Sequence, residues 1–399
     1  MLRSENVSFY SPPLFPGSID EFKMRETNMS VLEVEPIAIV GLGCRFPGGA
    51  DTPEKLWDLV YEGQQCWQDV PSSRYNWKAF HHHNPDTKGT HNSRGGFFLD
   101  QDLAEFDASF FGIPGAEAAA MDPQQRLLLE VSYEAFENAG MPLESLRGSR
   151  TGVYVALVSR DYDRQIYKDP YLIPKYHLTG CGDATACGRI SLGESDAAIV
   201  GGTNLLLGPD MTIAMSALRM INDEGRCYPF DSRGAGYGRA EGVATLVLKR
   251  LKDAVRDGDC VRAIIRNSGV NQDGKTNGIL LPSSKAQGQL TAALYHQVGI
   301  NPREVSYVEA HGTGTQAGDA AELNSIKEVF ADMETQRDGP LFLGSIKANL
   351  GHSESTSGLA GVIKTIMALE KSIIPPVTGL ETVKPTLYNM LKAGDIIVS

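Results

Sequence analysis

The chain has 399 residues, of which 42% are hydrophobic and 22% are charged, a composition ordinary for a globular protein. This length allows one large domain or two domains of ordinary size. The net charge of -12 argues against a nucleic acid partner, because phosphate binding needs a basic face. No apolar run approaches membrane-spanning length, so we also expect no membrane partner.

The cysteines and clustered histidines do not predict a metal site. Six cysteines are spread along the chain without Cys-x-x-Cys spacing, which indicates neither a zinc site nor a disulfide framework. This pattern favours a reducing compartment, the cytoplasm. His81, His82 and His83 lie in an irregular polar stretch, where adjacent histidines are usually solvated. We therefore predict no metal ligands among them.

The first third of the chain predicts an extension followed by a buried strand. Residues 1–34 show no sustained periodicity and are interpreted as an N-terminal extension. Residues 37–40 are apolar and β-branched, and the glycine-rich residues 41–49 follow them. The glycine spacing and Pro47 do not fit a dinucleotide-binding fingerprint. The next helix is expected to begin near Thr52.

Strands and helices are predicted to alternate along the rest of the chain, which indicates a layered α/β fold. A helix is expected from residues 121–126 onward, and another over 284–298. Further strands are predicted at 151–158, 197–202, 243–251, 262–270, 305–308 and 341–346.

The first candidate site segment is the loop after the strand at 305–308. His311 lies at the carboxyl end of this strand, where open α/β sheets place their ligands. Thr313 and Thr315 alternate with glycines in the loop. Glycines let the backbone approach a ligand, and threonine hydroxyls supply hydrogen bonds. A lone histidine at a strand end is more often structural than catalytic, so a second such segment matters.

The second segment follows the strand at 341–346 and has a similar layout. It carries Lys347 and His352, and Ser353-Glu354 predicts the N-cap and first-turn acid of a helix. This helix is predicted to have an apolar face formed by Leu359, Val362, Ile363, Ile366 and Met367. Two histidines at the ends of two strands favour an active site more strongly than either histidine alone.

Several long motifs resemble the β-ketoacyl synthase domain of polyketide synthases, in particular fungal highly reducing type I enzymes. The resemblance runs from about Glu35 to the C-terminus and rests on PIAIVGLGCRFPGG, MDPQQRLLLE, GRIS, GESDAAIVGGTN, YPFDSRGAGYGRAEG, EAHGTGTQAGDAAE and SIKANLGHSESTSGLAG. It implies a thiolase-like fold of two stacked α/β halves in αβαβα layers, usually dimeric. We place the N-terminal half at residues 35–251 and the C-terminal half at 252–399.

The resemblance also implies an activity, decarboxylative Claisen condensation of malonyl units. No cofactor would be bound, and substrates would be carried on the phosphopantetheine arm of an acyl carrier protein. By motif, His311 and His352 would be catalytic, Lys347 and Glu322 would form a supporting pair, and the Thr313 and Thr315 hydroxyls would bind the arm. Two imidazole N–H donors could stabilise the enolate oxygen that decarboxylation creates.

The nucleophile of the family is not found in this sequence. The family places a cysteine at the start of a buried helix, where the helix N-terminus lowers the thiol pKa. The flanking motifs, residues 188–191 and 192–196, directly adjoin here, so a segment is missing near 191–192. Cys187 has suggestive neighbours, but no β run precedes it. Only nine residues separate it from the strand at Ala197, too few for a helix of typical length. Cys181 and Cys227 are no better placed.

These departures leave three functional hypotheses. The family pattern also continues past Val398, so we interpret the second half as truncated and expect a poorly stable fold or fragment. The first hypothesis is a ketosynthase-type acyltransferase with defective condensation. The second is a decarboxylase of malonyl-carrier substrates, and the third is a non-catalytic partner. Carrier protein and other synthase domains would act in trans, and a homodimer is possible.

Overall fold

Strands and helices alternate along the chain in the computed structural model, which describes residues 34–399 except 170, 172, 177–194, 277, 279–280, 332–336 and 338. The strands are β1 Ile37–Arg45, β2 Gln68–Asp69, β3 Gly95–Gly96, β4 Thr151–Leu157, β5 Ala197–Asn204, β6 Gly242–Arg250, β7 Ala263–Ile265, β8 Tyr307–Glu309, β9 Leu341–Gly344 and β10 Ile396–Val398. The α-helices are α1 Pro53–Tyr61, α2 Gly115–Ala118, α3 Pro123–Asn138, α4 Leu143–Leu146, α5 Asp161–Ile166, α6 Asp210–Ala217, α7 Leu251–Asp257, α8 Ser284–Gln297, α9 Gln316–Phe330, α10 Lys347–Leu350, α11 Ser357–Lys371 and α12 Pro385–Ala393.

The larger sheet has the strand order β4-β5-β6-β1-β7. Strands β4 and β5 are parallel, and the other neighbouring pairs are antiparallel. Strands β5, β6 and β1 lie inside the sheet and are apolar along most of their length, as buried strands are. At the β4 end, Val153 and Leu157 are exposed.

Two glycines of β1 let a helix approach the sheet closely. A β-carbon on Gly41 would lie 2.2 Å from the carbonyl oxygen of Ala135, and one on Gly43 would lie 2.4 Å from that of Val131. Both carbonyls belong to α3, so the glycine-rich stretch that fails as a nucleotide fingerprint serves helix–sheet packing instead.

The hydrophobic cores indicate stacked layers. Helix α3 covers one face of the larger sheet, and α1 and α11 cover the other. Helix α11 also contacts β8 of the smaller sheet, whose far face packs on α9 and α12. On the predicted apolar face of α11, Ile363, Ile366 and Met367 are buried. Val362, at the edge of that face, is 37% exposed.

The smaller sheet brings three parallel strands together in the order β10-β9-β8. In β8 and β9, Tyr307 pairs with Phe342 and Glu309 pairs with Gly344. Because both strands run in the same direction, their carboxyl ends meet at one edge of the sheet. This edge carries both histidine-bearing loops.

The strand predicted at residues 262–270 is shorter in the structure. Only Ala263–Ile265 pairs, and its partner is residues 37–39 of β1 in the larger sheet. Farther along, Val270 is 94% exposed, so its apolar side chain does not mark a strand. The larger sheet thus uses residues on both sides of the predicted division at 251/252, and the division itself stays a prediction.

A buried carboxylate joins three distant segments around the larger sheet. Glu241, which has no exposed surface, accepts hydrogen bonds from Nε and Nη2 of Arg74 at 2.8 and 2.9 Å. It also accepts the backbone N–H groups of Leu99 at 2.9 Å and Leu206 at 3.1 Å. Removing this carboxylate would leave a buried guanidinium and two backbone donors unpaired.

We therefore expect Glu241→Ala to lower the free energy of unfolding by about 3–5 kcal/mol, the usual cost of breaking a buried ion pair. Urea unfolding at pH 7 measures this. Asp86→Ala is the control, because its ion pair with Arg219 is exposed and should contribute less than about 1 kcal/mol. Equal effects of the two substitutions would contradict the prediction.

Candidate active site

The two predicted histidines lie beside each other at the carboxyl edge of the smaller sheet. Their ring centroids are 5.2 Å apart, and the ring planes are nearly perpendicular at 86°. His311 follows β8 directly, and its loop is fixed to β9 by the Ala310 N–H, which donates to the Gly344 carbonyl at 2.8 Å. His352 follows the short helix α10 at the end of β9.

Both imidazoles are held neutral at neutral pH. Partial burial of its ring and then the charge of Lys347 lower the pKa of His311 to about 4, although the residue as a whole stays exposed at the sheet edge. Burial, Lys347, His311 and Arg239 hold the pKa of His352 well below its usual range. A neutral imidazole donates through one ring nitrogen and accepts through the other, so the tautomer decides what each ring offers a substrate.

The tautomer of His352 follows from its surroundings. The backbone N–H of Glu354 points at Nδ1 of His352, with 3.3 Å between the nitrogens. Nδ1 therefore accepts a hydrogen bond, and the ring proton lies on Nε2. Nε2–H is thus the donor that the His352 ring offers.

The loop that carries His352 is fixed by backbone contacts to residues near β6. The His352 N–H donates to Gly238 at 2.8 Å, and the Ala240 N–H donates to the His352 carbonyl at 2.9 Å. Gly351 has φ +73°, and a β-carbon there would lie 2.3 Å from the ring of Phe97. Glycine is thus required at 351 for both its backbone conformation and its lack of a side chain.

Lys347 and Glu322 lie near the histidines but do not pair directly. Lys347 is 4% exposed; burial lowers the pKa of its ammonium, and the charges of Glu309 and Glu322 act in the opposite direction. The Glu322 carboxylate instead accepts the N–H groups of His311 at 2.5 Å and Gly312 at 2.9 Å. Among the described residues, no Lys347–Glu322 contact lies within ion-pair distance. Glu322 therefore orients the His311 loop, and the two charges act on each other through space.

The two threonine hydroxyls lie side by side. Their Oγ1 atoms are 3.2 Å apart, and Thr313 is buried while Thr315 is half-buried. Asp319 fixes the loop by accepting the N–H groups of Gly314 at 3.1 Å and Phe230 at 2.8 Å. Burial raises the pKa of this aspartate to about 6.

An open cavity of about 470 Å³ adjoins the histidines. It is bordered by His311 and Lys347 on one side and by the glycines and exposed apolar residues of α11 on the other. Ile39 of β1 and all of β7 complete the wall. A substrate arm therefore has room beside His311.

The cysteines with described positions are poor nucleophiles. Cys227 is fully buried, its sulfur lies 3.3 Å from the Gly238 nitrogen, and burial raises its pKa to about 12. Burial likewise raises the pKa of Cys66 to about 12 and that of Cys44 farther. Cys260 is exposed. Cys181 and Cys187 lie outside the described residues.

Neither a metal site nor a membrane-spanning helix is found among the residues with described positions. No group of three or more His, Cys, Asp or Glu side chains is arranged to hold a metal ion. His82 and His83 stack on each other with centroids 4.4 Å apart. None of the helices in the described ranges is long and apolar enough to cross a membrane.

Sequence reasoning missed Tyr237 and Arg239 beside His352, and it assigned Glu354 only a role at the start of a helix. Tyr237 stacks edge-to-face on the imidazole at 4.9 Å, and Glu354 approaches Nε2 at 3.8 Å. Arg239 pairs loosely with Glu354 at 3.9 Å. The predicted N-cap role of Ser353-Glu354 is wrong: a short 3-10 turn, Glu354–Thr356, separates His352 from α11. The only sequence signal for their role is that Arg239 and Glu354 are charged residues within the glycine-rich and histidine motifs.

Comparison with known proteins identifies this architecture. The model of the N-terminal domain of β-ketoacyl synthases matches in two stretches, residues 34–192 and 183–254, and the C-terminal domain model matches residues 262–381. The chain belongs to the β-ketoacyl synthase family. The family predicted from the motifs is confirmed.

Curated relatives of this ketosynthase chain are fungal highly reducing polyketide synthases. The synthase sdnO of Sordaria araneosa is 53% identical over 384 residues, which cover 88% of this chain and 12% of the relative. The synthase SAT13 of Stachybotrys chartarum is 50% identical over 88% of this chain and 16% of the relative. The ketosynthase chain thus spans less than a fifth of the length of these relatives.

Solved ketosynthases share the fold. The oxazolomycin ketosynthase domain OzmH KS7 of Streptomyces albus JA3453 superposes with a TM-score of 0.82 at 28% identity, over 91% of this chain and 67% of that chain. The ketosynthase of module 6 of the Bacillus subtilis 168 bacillaene synthase gives 0.80 at 34% identity, over 91% and 66%. The predicted thiolase-like α/β fold is confirmed.

Buried neutral histidines predict that stability falls as the pH drops below about 6.5. In the unfolded chain, histidines bind protons near their ordinary pKa of about 6.5. In the folded protein, burial lowers the pKa of His91 to about 4 and that of His352 well below its usual range. The unfolded state then binds more protons, so each such histidine removes up to about 1.4 kcal/mol per pH unit.

Urea unfolding between pH 7 and pH 5 measures this loss. His352→Gln should reduce the slope of the unfolding free energy against pH, whereas replacing the exposed His83 by Asn should not. An unchanged slope in the His352 variant would show that this ring has about the same pKa in the folded and unfolded states.

Proposed function

We propose that this ketosynthase chain decarboxylates malonyl thioesters carried on phosphopantetheine, and that its capacity for condensation is impaired. The observation that supports this best is the pair of neutral imidazoles 5.2 Å apart with the buried Lys347 beside them. Such a group of donors suits a reaction in which negative charge develops on a carbonyl oxygen.

Decarboxylation would follow from this geometry. The bond between the malonyl carboxylate and the methylene carbon breaks, and CO₂ leaves. The electron pair of the broken bond forms the enolate of the thioester. The N–H groups of His311 and His352 stabilise the enolate oxygen, and the positive charge of Lys347 assists them. A proton taken up at the methylene carbon then gives the acetyl thioester.

The threonine pair suits the carrier arm. Phosphopantetheine has amide and hydroxyl groups, and the adjacent hydroxyls of Thr313 and Thr315 can exchange hydrogen bonds with them. The cavity beside His311 is lined by other residues, so it supplies room next to the imidazole and not next to the threonines. The substrate would therefore be a carrier-bound thioester, with no cofactor held by the chain itself.

The proposal that condensation is impaired rests on the cysteine thiols of the chain. Condensation needs an acyl group on a cysteine sulfur. Burial raises the pKa of the Cys44, Cys66 and Cys227 thiols, and Cys260 is an exposed surface residue. The two-stretch match, with its overlap at residues 183–192, supports a missing segment in this region. Cys187 falls within the overlap, and Cys181 also lies outside the described residues, so these two cysteines remain as candidates.

The proposal also covers the domain organisation of the chain and its partners. The halves would be residues 35–251 and 252–399, with residues 1–34 as an extension. An acyl carrier protein and other polyketide synthase domains would act together with this chain, as its curated relatives are polyketide synthases. The proposal includes a cytoplasmic location and a homodimeric assembly.

The direct test incubates the chain with malonyl-loaded acyl carrier protein and follows the carrier by mass spectrometry. We expect acetyl-carrier and CO₂, and His311→Ala or His352→Ala should each slow their formation about 10²–10³-fold, the usual effect of losing one oxyanion donor. His83→Ala is the control. Absence of CO₂ from the unaltered chain would favour a non-catalytic partner, and a β-ketoacyl product would show intact condensation.

A second test asks which thiol an acyl thioester can label. Cys227 should remain unlabelled by an acyl-loaded carrier protein, because its sulfur is buried and its pKa is about 12. Peptide mass spectrometry locates any acyl group, and Cys260→Ser removes background labelling at the exposed cysteine. Stoichiometric acylation of Cys187 would overturn impaired condensation while leaving the decarboxylation proposal intact.

A further inference from the structure

Glu354 has a backbone conformation that is unusual for its residue type. Its φ is +47°, in the left-handed region, which is sterically unfavourable for a residue with a β-carbon. Ser357 helps to hold it there, because the Ser357 hydroxyl donates to the Glu354 carbonyl at 2.9 Å. Strain of this kind persists only when the surroundings enforce it, and it is concentrated at functional sites.

This conformation lets one residue approach both nitrogens of one imidazole. The Glu354 N–H faces Nδ1 of His352 at 3.3 Å. Its side chain turns back, so that Oε2 lies 3.8 Å from Nε2. That distance is too long for a hydrogen bond, but it is close enough for the carboxylate charge to attract an Nε2 proton. The backbone and the side chain therefore favour the same tautomer.

The carboxylate of Glu354 is itself held in place. It is 13% exposed, and Oε1 accepts a hydrogen bond from the Tyr237 hydroxyl at 3.3 Å. Arg239 Nε lies 3.9 Å from the same oxygen, while Arg239 Nη1 donates to Thr212 at 3.0 Å. Nε and Nη2 of Arg239 have no hydrogen-bond partner in the part of the chain that the structure describes. Glu354 is thus the carboxylate that this buried guanidinium contacts.

We propose that Glu354 is a positioning residue for His352, which keeps the ring proton on Nε2 and the ring directed at the reacting carbonyl. This inference rests on the proposed function in one respect, namely that the Nε2 proton stabilises the enolate oxygen. The alternative is a purely structural role, in which Glu354 only neutralises Arg239. The two roles differ in what happens to the imidazole when the carboxylate is changed.

The test reads the tautomer directly in the full chain, with histidines labelled with ¹⁵N. Long-range ¹H–¹⁵N spectra report which ring nitrogen is protonated, and the His352→Gln spectrum assigns the signal. We expect the Nε2–H form in the unaltered chain. In Glu354→Gln, which keeps the backbone N–H and the side-chain shape but loses the charge, the excess of this form should fall about tenfold.

Two further variants separate positioning from stability. Tyr237→Phe removes a donor to the same carboxylate but keeps the charge, so the tautomer should not change. Glu354→Asp keeps the charge near Arg239 but withdraws it from Nε2 by one methylene, and aspartate tolerates the left-handed backbone better. The Glu354→Asp chain should therefore fold, but it should show a smaller excess of the Nε2–H tautomer of His352.

Each outcome decides the inference. A proton on Nδ1 in the unaltered chain would overturn it, and so would an unchanged tautomer in folded Glu354→Gln or Glu354→Asp. In the decarboxylation assay, Glu354→Gln should lower kcat about tenfold with KM unchanged. If the unaltered chain releases no CO₂ but the tautomer shifts as expected, the proposed function fails and the positioning role of Glu354 stands.

Discussion

The carboxylate of Glu309, at the end of β8, is the contact on which the site geometry depends. Its Oε1 accepts the N–H of Ile346 at 2.7 Å, just before Lys347, and its Oε2 accepts Nζ of Lys364 at 2.8 Å. Tyr307, two residues earlier, also donates to it. One buried anion thus joins the end of β8, the start of α10 and the middle of α11. Because both histidine loops branch from this junction, their spacing is set by the sheet edge and by the charge that anchors it.

The electrostatic character of the site follows from a lysine and two carboxylates that lie close to two neutral imidazoles. Burial lowers the pKa of Lys347 against the opposing charges of Glu309 and Glu322, and the imidazoles beside it stay neutral. A site of this kind offers oriented dipoles and does not surround the substrate with net charge. Oriented donors in a low-dielectric environment need little reorganisation when charge develops, which is the physical basis of their effect on rates.

Much of this arrangement could be predicted from the sequence, because it depends on local patterns. The apolar runs before His311 and Lys347 predict strands, parallel strands end at one edge, and the loops after them must meet. The apolar periodicity of α11 likewise predicted that Ile363 and Ile366 are buried. The long glycine and histidine motifs indicated the family for the same reason, since each is contiguous.

The parts that could not be predicted depend on backbone dihedrals and on contacts between distant residues. Ser353-Glu354 matches a helix N-cap by composition, and nothing in the letters reveals the positive φ of Glu354. The approach of Arg239 joins positions more than a hundred residues apart. The strand at 262–270 was overestimated because β1 provides only three pairing residues for it. Such outcomes are decided by tertiary structure.

The contact between Phe97 and Gly351 has an evolutionary consequence. The Phe97 ring is fully buried and occupies the space that a side chain at 351 would need. The two positions therefore constrain each other although 254 residues separate them along the chain. A change at 351 can be accepted only after a smaller residue has appeared at 97, and even then the left-handed backbone limits the choice. This epistasis would make the order of substitutions, and not only their identity, decide which ketosynthase lineages keep the histidine loop.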